Sequence, residues 1–328
     1  LQTDYPPQFR PHGMSLVESD DLARLFVVSH RYVPECPHSI EVFDPDIDIE
    51  EHLVAIKHVH TLCNKELLSS PNDVLALGFD QIIVSNDHGP GGSMLQGLLE
   101  DALHIRRATM AYFNGFVWQN LPDSPASFGN GLIITKNKEG VEYLYRASTA
   151  DYSLQKFKLS RGFENNKENR VFGRGGVFSE ESESESATEK DETENSVAMR
   201  SRRSLELSLE TTVQLPMAPD NIMEDPIVPG ALLIAGHPLT YSFMGYALLP
   251  SLVKSPSAVL RYDTYSDTAD YVYLDNGSEL SASSTAIRTM PAHLPVTPGT
   301  ARQELEKAHS DSGMYTSQVF APYVLYCP

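Results

Sequence analysis

The sequence predicts an all-β protein, specifically a β-propeller, and two observations favour that fold. First, its apolar residues fall in short alternating runs, such as LFVV, VLALG, QIIVS and ALLIAG, and turn segments such as DPD, NKEG and DNG separate them. Second, one sequence plan recurs several times along the chain. Long stretches of helical periodicity are nearly absent, so we expect strands to build most of the core.

The recurring plan is a Pro or small residue, then His or Asn, then apolar residues, a polar turn and a short β-branched run. Its leading polar residues are separated by 60, 58 and 91 residues and are His12, Asn72, Asn130 and Asn221. A weaker fifth copy contains Asn276. Units of this size hold about four short strands each, which is typical of propeller blades. About five units are visible where a closed ring commonly has six or seven, so we expect further residues upstream of Leu1.

Two segments depart from the β pattern. Apolar residues at helical spacing in GGSMLQGLLEDALHIRR predict one helix within residues 92–107, packed across a face of the propeller. Residues 164–204 are polar and contain EESESESATEKDETE, whose eight acids and one lysine supply −7 of the net charge of −19. Such a run repels itself and offers nothing large to bury. We therefore expect a solvated insertion, which divides a single propeller domain into residues 1–163 and 205–328.

Composition and missing motifs exclude several functional classes. The net charge of −19 opposes binding to nucleic acid. The three cysteines, Cys36, Cys63 and Cys327, are too few and too scattered for a disulfide framework or a paired-cysteine zinc site, and their odd number leaves at least one unpaired within this chain. The chain has no G-x-S-x-G elbow, Walker loop or H-E-x-x-H motif. No apolar run is long enough to span a membrane, and no signal segment is visible.

The repeat itself predicts a metal site. Residues at the same place in every blade lie on one ring around a propeller's axis, so His12, Asn72, Asn130 and Asn221 should converge there with the neighbouring acids Asp73 and Asp220. Amide and carboxylate oxygens suit a hard cation such as Ca²⁺, and the lack of thiolates disfavours zinc. The alternative for any one Asn is that it caps a turn, as Asn commonly does. The coincidence of four matched positions favours the site.

Histidines at strand ends predict proton-transfer chemistry near that ring. His12 takes the Asn position in the first unit, and His30 ends the following LFVVSH run. A neutral imidazole beside a cation-polarised ester or lactone carbonyl can accept a proton from water, while a second histidine orients it. His88 and His237 also end apolar runs and would line the mouth of the site. We interpret His58 and His60 as structural or solvated.

These segments together resemble the serum paraoxonase/arylesterase family of calcium-dependent lactonases and esterases. The matching strings are PHGMS, LFVVSH, SIEVFDPD, SPNDVLALG, SNDH, FGNGLIIT, APDNIMEDP, LLIAGHP, SPSAVLRY, DNGSELSASSTA and YVLYC. They fall in family order along nearly the whole chain. The resemblance implies a six-bladed β-propeller, incomplete at the N-terminus of this chain, with two calcium ions in its tunnel and a short helix that caps the active site.

The resemblance also implies roles for individual residues. The catalytic calcium would be held by Asn72, Asn130, Asp220 and Asn221. The structural calcium would be held by Asp73 and the backbone carbonyl of Met14. His12 and His30 match the family's proton-transfer pair, while His88 and His237 match further active-site histidines. The family's first calcium-ligand acids would lie upstream of Leu1, so this chain would lack one ligand for each ion.

Further implications concern the surface and the compartment. The helix within 92–107 would touch lipid, and Cys327 would form a disulfide with a cysteine upstream of Leu1. Asn276 begins an Asn-Gly-Ser glycosylation acceptor. Together these features suit the secretory pathway or an extracellular location. Residues 88–128 diverge from the family pattern, and Gly236 replaces the family's free cysteine, so the resemblance does not define the substrate pocket.

The leading functional hypothesis is calcium-dependent hydrolysis of aryl esters and lactones, with organophosphate turnover as a promiscuous side activity. One alternative is a sugar-lactone hydrolase of a related propeller class. Another is a propeller that keeps calcium for stability and serves as a binding or scaffold module. The pair His12 and His30 favours catalysis, because a scaffold has little reason to keep both beside a cation ring.

Overall fold

The computed structural model of the protein describes residues 2–3, 5–19, 22–48, 53–91, 94–163, 203–250, 252–288, 314–318 and 324–327. Within these ranges the chain forms five β-sheets and two short helices. Four of the sheets are antiparallel meanders in which strands pair in sequence order, and the first sheet adds one parallel edge strand. The predominance of strands confirms the all-β class.

The first three sheets are built as follows. The first contains β1 (Gln2–Thr3), β2 (Pro11–Glu18), β3 (Ala23–Ser29), β4 (Ser39–Asp48) and β5 (Leu53–Leu62). The second contains β6 (Pro71–Gly78), β7 (Gln81–Asn86), β8 (Ala108–Phe113) and β9 (Trp118–Ala126), with helix α1 (Met94–Ala102) between β7 and β8. The third contains β10 (Gly129–Lys136), β11 (Glu142–Ser148), β12 (Ser153–Phe163) and β13 (Arg203–Gln214).

The last two sheets follow the same plan. The fourth contains β14 (Ala218–Glu224), β15 (Ala231–His237), β16 (Ser257–Asp263) and β17 (Thr268–Asp275), with helix α2 (Thr240–Leu248) between β15 and β16. The fifth contains β18 (Ser283–Arg288), β19 (Met314–Gln318) and β20 (Val324–Cys327).

Contacts between the sheets arrange them around a common axis. The first long strand of each sheet touches its counterpart in the next, so β2, β6, β10, β14 and β18 follow one another as inner strands. This succession of antiparallel blades confirms the expected β-propeller, with each sheet as one blade. Five blades lie in the described part of the chain, and six in a closed ring stays a prediction.

Apolar layers between neighbouring blades form the core. Phe26 and Ile40 pack with residues of the second blade, and Met110 packs with Phe157 of the third. Tyr145 and Ile234 belong to the layer between the third and fourth blades. Alternating strands have two faces, so each blade buries one face against the blade before it and the other against the blade after it.

The structure corrects one member of the sequence repeat. The fifth inner strand begins at Ser283, and Asn276 lies before it in an exposed turn, where its Oδ1 accepts a hydrogen bond from the backbone N–H of Ser278. Ser284 therefore takes the position that Asn72 and Asn130 occupy in their blades. The repeat pattern placed its fifth copy on the DNG turn. The position that matches Asn72 and Asn130 lies instead on the strand that follows this turn.

Two of the three cysteines form a pair that their sequence spacing did not predict. A disulfide joins Cys36, in the loop between β3 and β4, to Cys63 at the end of β5. The Cα atoms are 6.0 Å apart, although the residues are separated by 27 positions. Sequence spacing could not reveal this pair, because the β4–β5 hairpin brings the two ends together. Cys327 ends β20 opposite Met314, and its side chain lies outside the described residues, so its disulfide remains a prediction.

The two unusual segments of the sequence are placed as follows. The predicted helix exists but is shorter than 92–107, since α1 ends at Ala102. The long hairpin β12–β13 pairs Phe163 with Arg203, so residues 164–202 connect its two strands and lie outside the described residues. The expectation of a solvated insertion therefore stays a prediction. Neither helix in the described ranges is long and apolar enough to cross a membrane.

Candidate functional site

Each inner strand changes register near its start, and in the first four blades the shift lies at the position that the repeat marks. The shifts lie between Pro11 and Met14, Pro71 and Asp73, Gly129 and Leu132, Pro219 and Ile222, and Ser283 and Thr285. Such irregularities interrupt the pairing and turn side chains away from the ordinary strand alternation. The predicted ring residues therefore share a backbone feature as well as a sequence pattern.

Glycines allow these inner strands to approach closely. A Cβ atom on Gly13 would lie 2.5 Å from the backbone oxygen of Asn72 and 2.7 Å from Oδ1 of Asp73. A Cβ atom on Gly131 would lie 2.7 Å from the Cα of Asn221. Only a residue without a side chain fits at either place. The structure thus brings the predicted positions in the first four blades together around the axis.

Asp73 links two blades and is unusually desolvated. Its Oδ2 accepts the backbone N–H of Leu132 at 2.8 Å, and its Oδ1 accepts that of Val74 at 2.9 Å. Burial raises the pKa of this carboxyl to about 7, although the two backbone hydrogen bonds act in the opposite direction, and the nearby charge of Asp220 raises it further. Two carboxyl groups therefore lie close together in a buried region, which favours the protonated form of Asp73.

Asn130 has a buried oxygen without a protein partner. Its Nδ2 donates to Oγ1 of Thr149 at 3.2 Å, and Thr149 in turn donates to the carbonyl of Pro219 at 2.7 Å. Its Oδ1 accepts no hydrogen bond from the described residues. Nδ2 of Asn221 is likewise engaged, by Oγ of Ser284 and Oγ1 of Thr285. An unpartnered buried amide oxygen costs about 1–3 kcal/mol unless something binds it.

His237 is fully buried beneath helix α2. Its Nε2 lies 3.3 Å from Oδ2 of Asp220, and its ring stacks on Phe243 with centroids 3.9 Å apart. Its Nδ1 has no hydrogen-bond partner among the described residues. Because its ring contacts Asp220, His237 can line the predicted site. The ring is fully buried and does not reach an open surface.

The two histidines predicted as a pair are hydrogen-bonded. Nδ1 of His12 lies 2.9 Å from Nε2 of His30. A third ring continues the line, because Nδ1 of His30 lies 3.0 Å from Nδ1 of His38. Burial, then the neighbouring rings of His12 and His38, lower the pKa of His30 to about 4, against a smaller opposing effect of Asp87. His30 is therefore neutral at physiological pH.

His88, unlike His30, is positively charged at neutral pH. Its Nδ1 lies 2.8 Å from Oδ1 of Asp87, and its Nε2 lies 3.2 Å from Oδ1 of Asp101 in α1. Burial disfavours the imidazolium, but the hydrogen bonds and charges of Asp101 and Asp87 outweigh it and raise the pKa of His88 to about 10. The ring therefore carries a positive charge at neutral pH and holds α1 against the end of β7.

Comparison with known proteins decides the family. Residues 4–168 match the arylesterase family, which is half of the chain. The chain belongs to the arylesterase family. The family expected from the sequence is thereby confirmed, and the match covers β2, β6 and β10 with seven of the predicted site residues, which are His12, Met14, His30, Asn72, Asp73, His88 and Asn130.

Curated relatives of this arylesterase-family chain are serum paraoxonases. It is 31% identical over 147 residues to serum paraoxonase/arylesterase 2 of Bos taurus, and 36% identical over 147 residues to that of Rattus norvegicus. Each alignment covers 44% of this chain and 38% of the relative. Serum paraoxonase/lactonase 3 of Homo sapiens is 27% identical over 143 residues, or 43% of this chain and 37% of the relative. The matched region thus spans less than two fifths of each relative.

Solved structures offer only a weak likeness. An alpha-L-arabinanase of Penicillium chrysogenum aligns with 98% of this chain and 79% of its own at a TM-score of 0.44 and 7% identity. An alpha-L-arabinofuranosidase of Fusarium graminearum gives a TM-score of 0.47 at 8% identity over the same shares. These values are too low to bear on the site or on the number of blades.

The residues of the arylesterase-family ring fit a hard cation. Within the described ranges, no three His, Cys, Asp or Glu side chains lie close enough to form a metal site by themselves. A site would therefore depend on amide oxygens, and the unpartnered Oδ1 of Asn130 is one. The desolvated carboxyl of Asp73 beside Asp220 supplies negative charge. Oxygen donors of this kind suit Ca²⁺.

The sequence did not indicate one member of the histidine cluster, His38, but it did indicate the roles of His58 and His60. His38 was not a candidate, although it follows Cys36 by two residues and precedes the SIEVF run. His58 contacts the buried Glu41 at 2.9 Å and His60 is exposed, which agrees with a structural or solvated role. Met14 follows the register shift of β2, where its backbone carbonyl was expected to bind the structural calcium.

Proposed function

We propose that this chain hydrolyses carboxylic esters, aryl esters and lactones among them, in a calcium-dependent reaction. The observation that carries the proposal is the hydrogen bond between Nδ1 of His12 and Nε2 of His30, which lies at the register shift of β2. The same shift brings Gly13 against Asn72 and Asp73. This close approach supports a proton-accepting imidazole next to the oxygen-rich ring. Family membership supports the reaction class.

His12 acts as the general base. Its Nδ1 is engaged by His30, so Nε2 is the nitrogen that can take a proton from water. The water oxygen forms a bond to the carbonyl carbon, and the carbonyl π electrons move to its oxygen. When that oxygen re-forms the carbonyl, the bond to the alcohol or phenol oxygen breaks. The proton on His12 passes to this leaving oxygen, which regenerates the neutral base.

Calcium would be held by the oxygens of the ring. Asn72, Asn130, Asp220 and Asn221 would bind the catalytic ion, while Asp73 and the carbonyl of Met14 would bind the structural ion. When bound, the catalytic ion supplies positive charge that stabilises the developing oxyanion. Asn130 supports this assignment best, because its Nδ2 is fixed by Thr149 and its Oδ1 is left without a partner.

The test is hydrolysis of phenyl acetate and of a δ-lactone by the full-length protein, with calcium and after chelation. We expect both activities to be lost with chelator and restored by calcium. His12→Gln should lower kcat by about a hundredfold, since general-base catalysis contributes at least that much. His60→Gln is the matched control on an exposed histidine. Full activity in EDTA, or in His12→Gln, would refute the mechanism.

We further infer an extracellular or secretory location. The disulfide between Cys36 and Cys63 suits an oxidising compartment, and the relatives are named serum enzymes. Asn276 lies in an exposed turn, where a glycan on its Asn-Gly-Ser acceptor would meet no packed neighbour. On α1 and just after it, Leu99 is 50% exposed and Leu103 66% exposed, which supports peripheral lipid contact.

A further inference from the structure

Three histidine rings form a continuous hydrogen-bonded line from the candidate active site into the β3–β4 loop. The line runs from His12 on β2 through His30 at the end of β3 to His38, immediately before β4. The two junctions measure 2.9 and 3.0 Å between ring nitrogens. Both ring nitrogens of His30 are engaged, one by His12 and the other by His38. The nitrogens in these two hydrogen bonds therefore cannot all bind a single metal ion.

We propose that His38 is a positioning residue for ester hydrolysis: its Nδ1 accepts a hydrogen bond from Nδ1–H of His30 and thereby fixes the tautomer of the whole line. The catalytic effect of His38 rests on the proposed function. The tautomers of the three rings do not depend on it.

The tautomer argument follows from counting one proton for each hydrogen bond. When Nδ1 of His38 accepts, His30 must carry its proton on Nδ1, and its Nε2 is then an acceptor. Nε2 of His30 in turn accepts the proton that His12 carries on Nδ1. Nε2 of His12 is left with a free lone pair, as a general base requires. Without an acceptor at His38, His30 can adopt either tautomer, and one of them turns His12 into the wrong one.

The surroundings keep these rings neutral. Besides His12 and His38, the titratable groups Tyr32 and Asp87 lie near His30, with Tyr32 stacked at 6.2 Å between centroids. Burial, together with the two neighbouring rings, lowers the pKa of His30, and burial also lowers the pKa of His38 despite Asp87. Both rings therefore retain a lone pair at neutral pH.

The loop that carries His38 is anchored at several points. The Cys36–Cys63 disulfide joins it to β5, and Sγ of Cys36 lies 3.2 Å from the carbonyl oxygen of His38. A disulfide sulfur has no proton to donate, so this is a packing contact. Tyr32 donates its backbone N–H to the carbonyl of Pro37 at 2.9 Å. These contacts limit how far His38 can move from His30.

Glu41 holds both ends of the same loop. Its Oε1 accepts from Oγ of Ser39 at 2.6 Å and lies 3.7 Å from the guanidinium of Arg31. Ser39 follows His38, and Arg31 follows His30. Glu41 is fully buried, so its position is set by packing within the blade. The second and third rings of the line are thus fixed by a common buried group.

The first test compares two substitutions of His38. His38→Phe removes the acceptor, whereas Oδ1 of the asparagine in His38→Asn can take the place of Nδ1. We expect His38→Phe to lower kcat for phenyl acetate by about tenfold or more, with KM unchanged, since correct presentation of a general base is lost. His38→Asn should stay within about threefold of the wild type. Equal loss in both variants, or no loss in either, would overturn the proposal.

The second test is independent of esterase activity. Long-range ¹H–¹⁵N NMR of histidine-labelled full-length protein distinguishes Nδ1–H from Nε2–H tautomers, and His30 is assigned by its absence in His30→Gln. We expect His30 to be an Nδ1–H tautomer in the wild type and in His38→Asn, and a mixture in a folded His38→Phe variant. An Nε2–H tautomer in the wild type contradicts the assignment. If the tautomers agree but no ester is hydrolysed, the proposed function fails and the positioning role is limited to structure.

The disulfide provides a control on the loop. In a Cys36→Ser/Cys63→Ser background the loop loses its link to β5, so we expect His38→Phe to cost less than it does in the intact protein. A double-mutant cycle measures this coupling. An unchanged cost in the two backgrounds would show that the disulfide does not help to seat His38.

Discussion

At the scale of single residues, the site depends on polar groups whose partners come from other blades. Asp73 accepts a backbone hydrogen bond from Leu132 of the next blade, and Asn221 donates one to Ser284 of the fifth blade. Asn130 keeps one oxygen without a partner. Groups of this kind lower stability unless a ligand compensates for them, which is how functional sites commonly differ from structural ones.

His30 predicts a pH dependence of stability. A histidine whose pKa is lowered in the folded state is protonated more readily in the unfolded state, so its contribution decreases stability as pH falls from about 6.5 towards 4. We expect the free energy of unfolding of the wild type to fall more steeply over this range than that of His30→Gln. Urea denaturation at several pH values measures the difference. Parallel curves for the two proteins would contradict the lowered pKa.

At the scale of elements, helix α1 is attached to the end of β7 by polar contacts that are at least partly buried. Asp101 contacts the imidazolium of His88, and Glu100 accepts the backbone N–H of Gly89 at 3.1 Å. Gly97 leaves room for the ring, since a Cβ there would lie 3.1 Å from Nε2 of His88. Charged and polar contacts therefore help to position the helix that the sequence predicted as a cap.

Asp101→Asn should loosen α1. Removing one carboxylate lowers the pKa of His88 and weakens the contact by about 1 kcal/mol, a modest amount because the pair is partly exposed to solvent. The contribution of the imidazolium is complete below about pH 6.5 and is lost as pH rises towards 10. Hydrogen exchange of residues 94–102 and NMR titration of His88 measure both effects. Glu139→Gln, in an exposed turn, is the control.

Packing between blades is expected to carry most of the stability. Phe157 is fully buried between the second and third blades, while Leu209, its cross-strand partner, is 45% exposed. Phe157→Ala should destabilise the protein by about 3–5 kcal/mol, because it leaves a cavity. Leu209→Ala should cost less than about 1 kcal/mol. Chemical denaturation separates the two, and similar losses would mean that Leu209 is packed as deeply as Phe157.

At the scale of the whole molecule, the inner strands of four blades meet at the predicted cation ring. Ions at that ring would join residues that are distant in sequence. We expect calcium to raise Tm and chelation to lower it, since a ligand at a hundred times its Kd stabilises by about 2.7 kcal/mol. Asn130→Ala should reduce the calcium-dependent part of this shift, whereas Asn137→Ala, in an exposed turn, should not. A Tm that is insensitive to calcium would show that the ring binds no such ion.

Local sequence patterns were enough to predict the all-β class, the blade repeat and the family. The reason is that strand alternation and the polar position at each inner strand are local patterns, which need no knowledge of distant contacts. Those patterns located Asn72, Asn130 and the pair of His12 and His30 before any geometry was considered. They failed at Asn276, because a turn motif resembled the start of a strand.

The partners of those residues follow from the folded chain and not from local patterns. The Cys36–Cys63 disulfide depends on the β4–β5 hairpin, and the contact of His38 with His30 depends on a loop that the disulfide and Glu41 hold in place. The charge of His88 depends on Asp101, which α1 brings to it. Each of these properties arises from burial and from partners separated along the chain. Local sequence patterns carry no information on either, whereas the packing of strands and loops within the blades defines both.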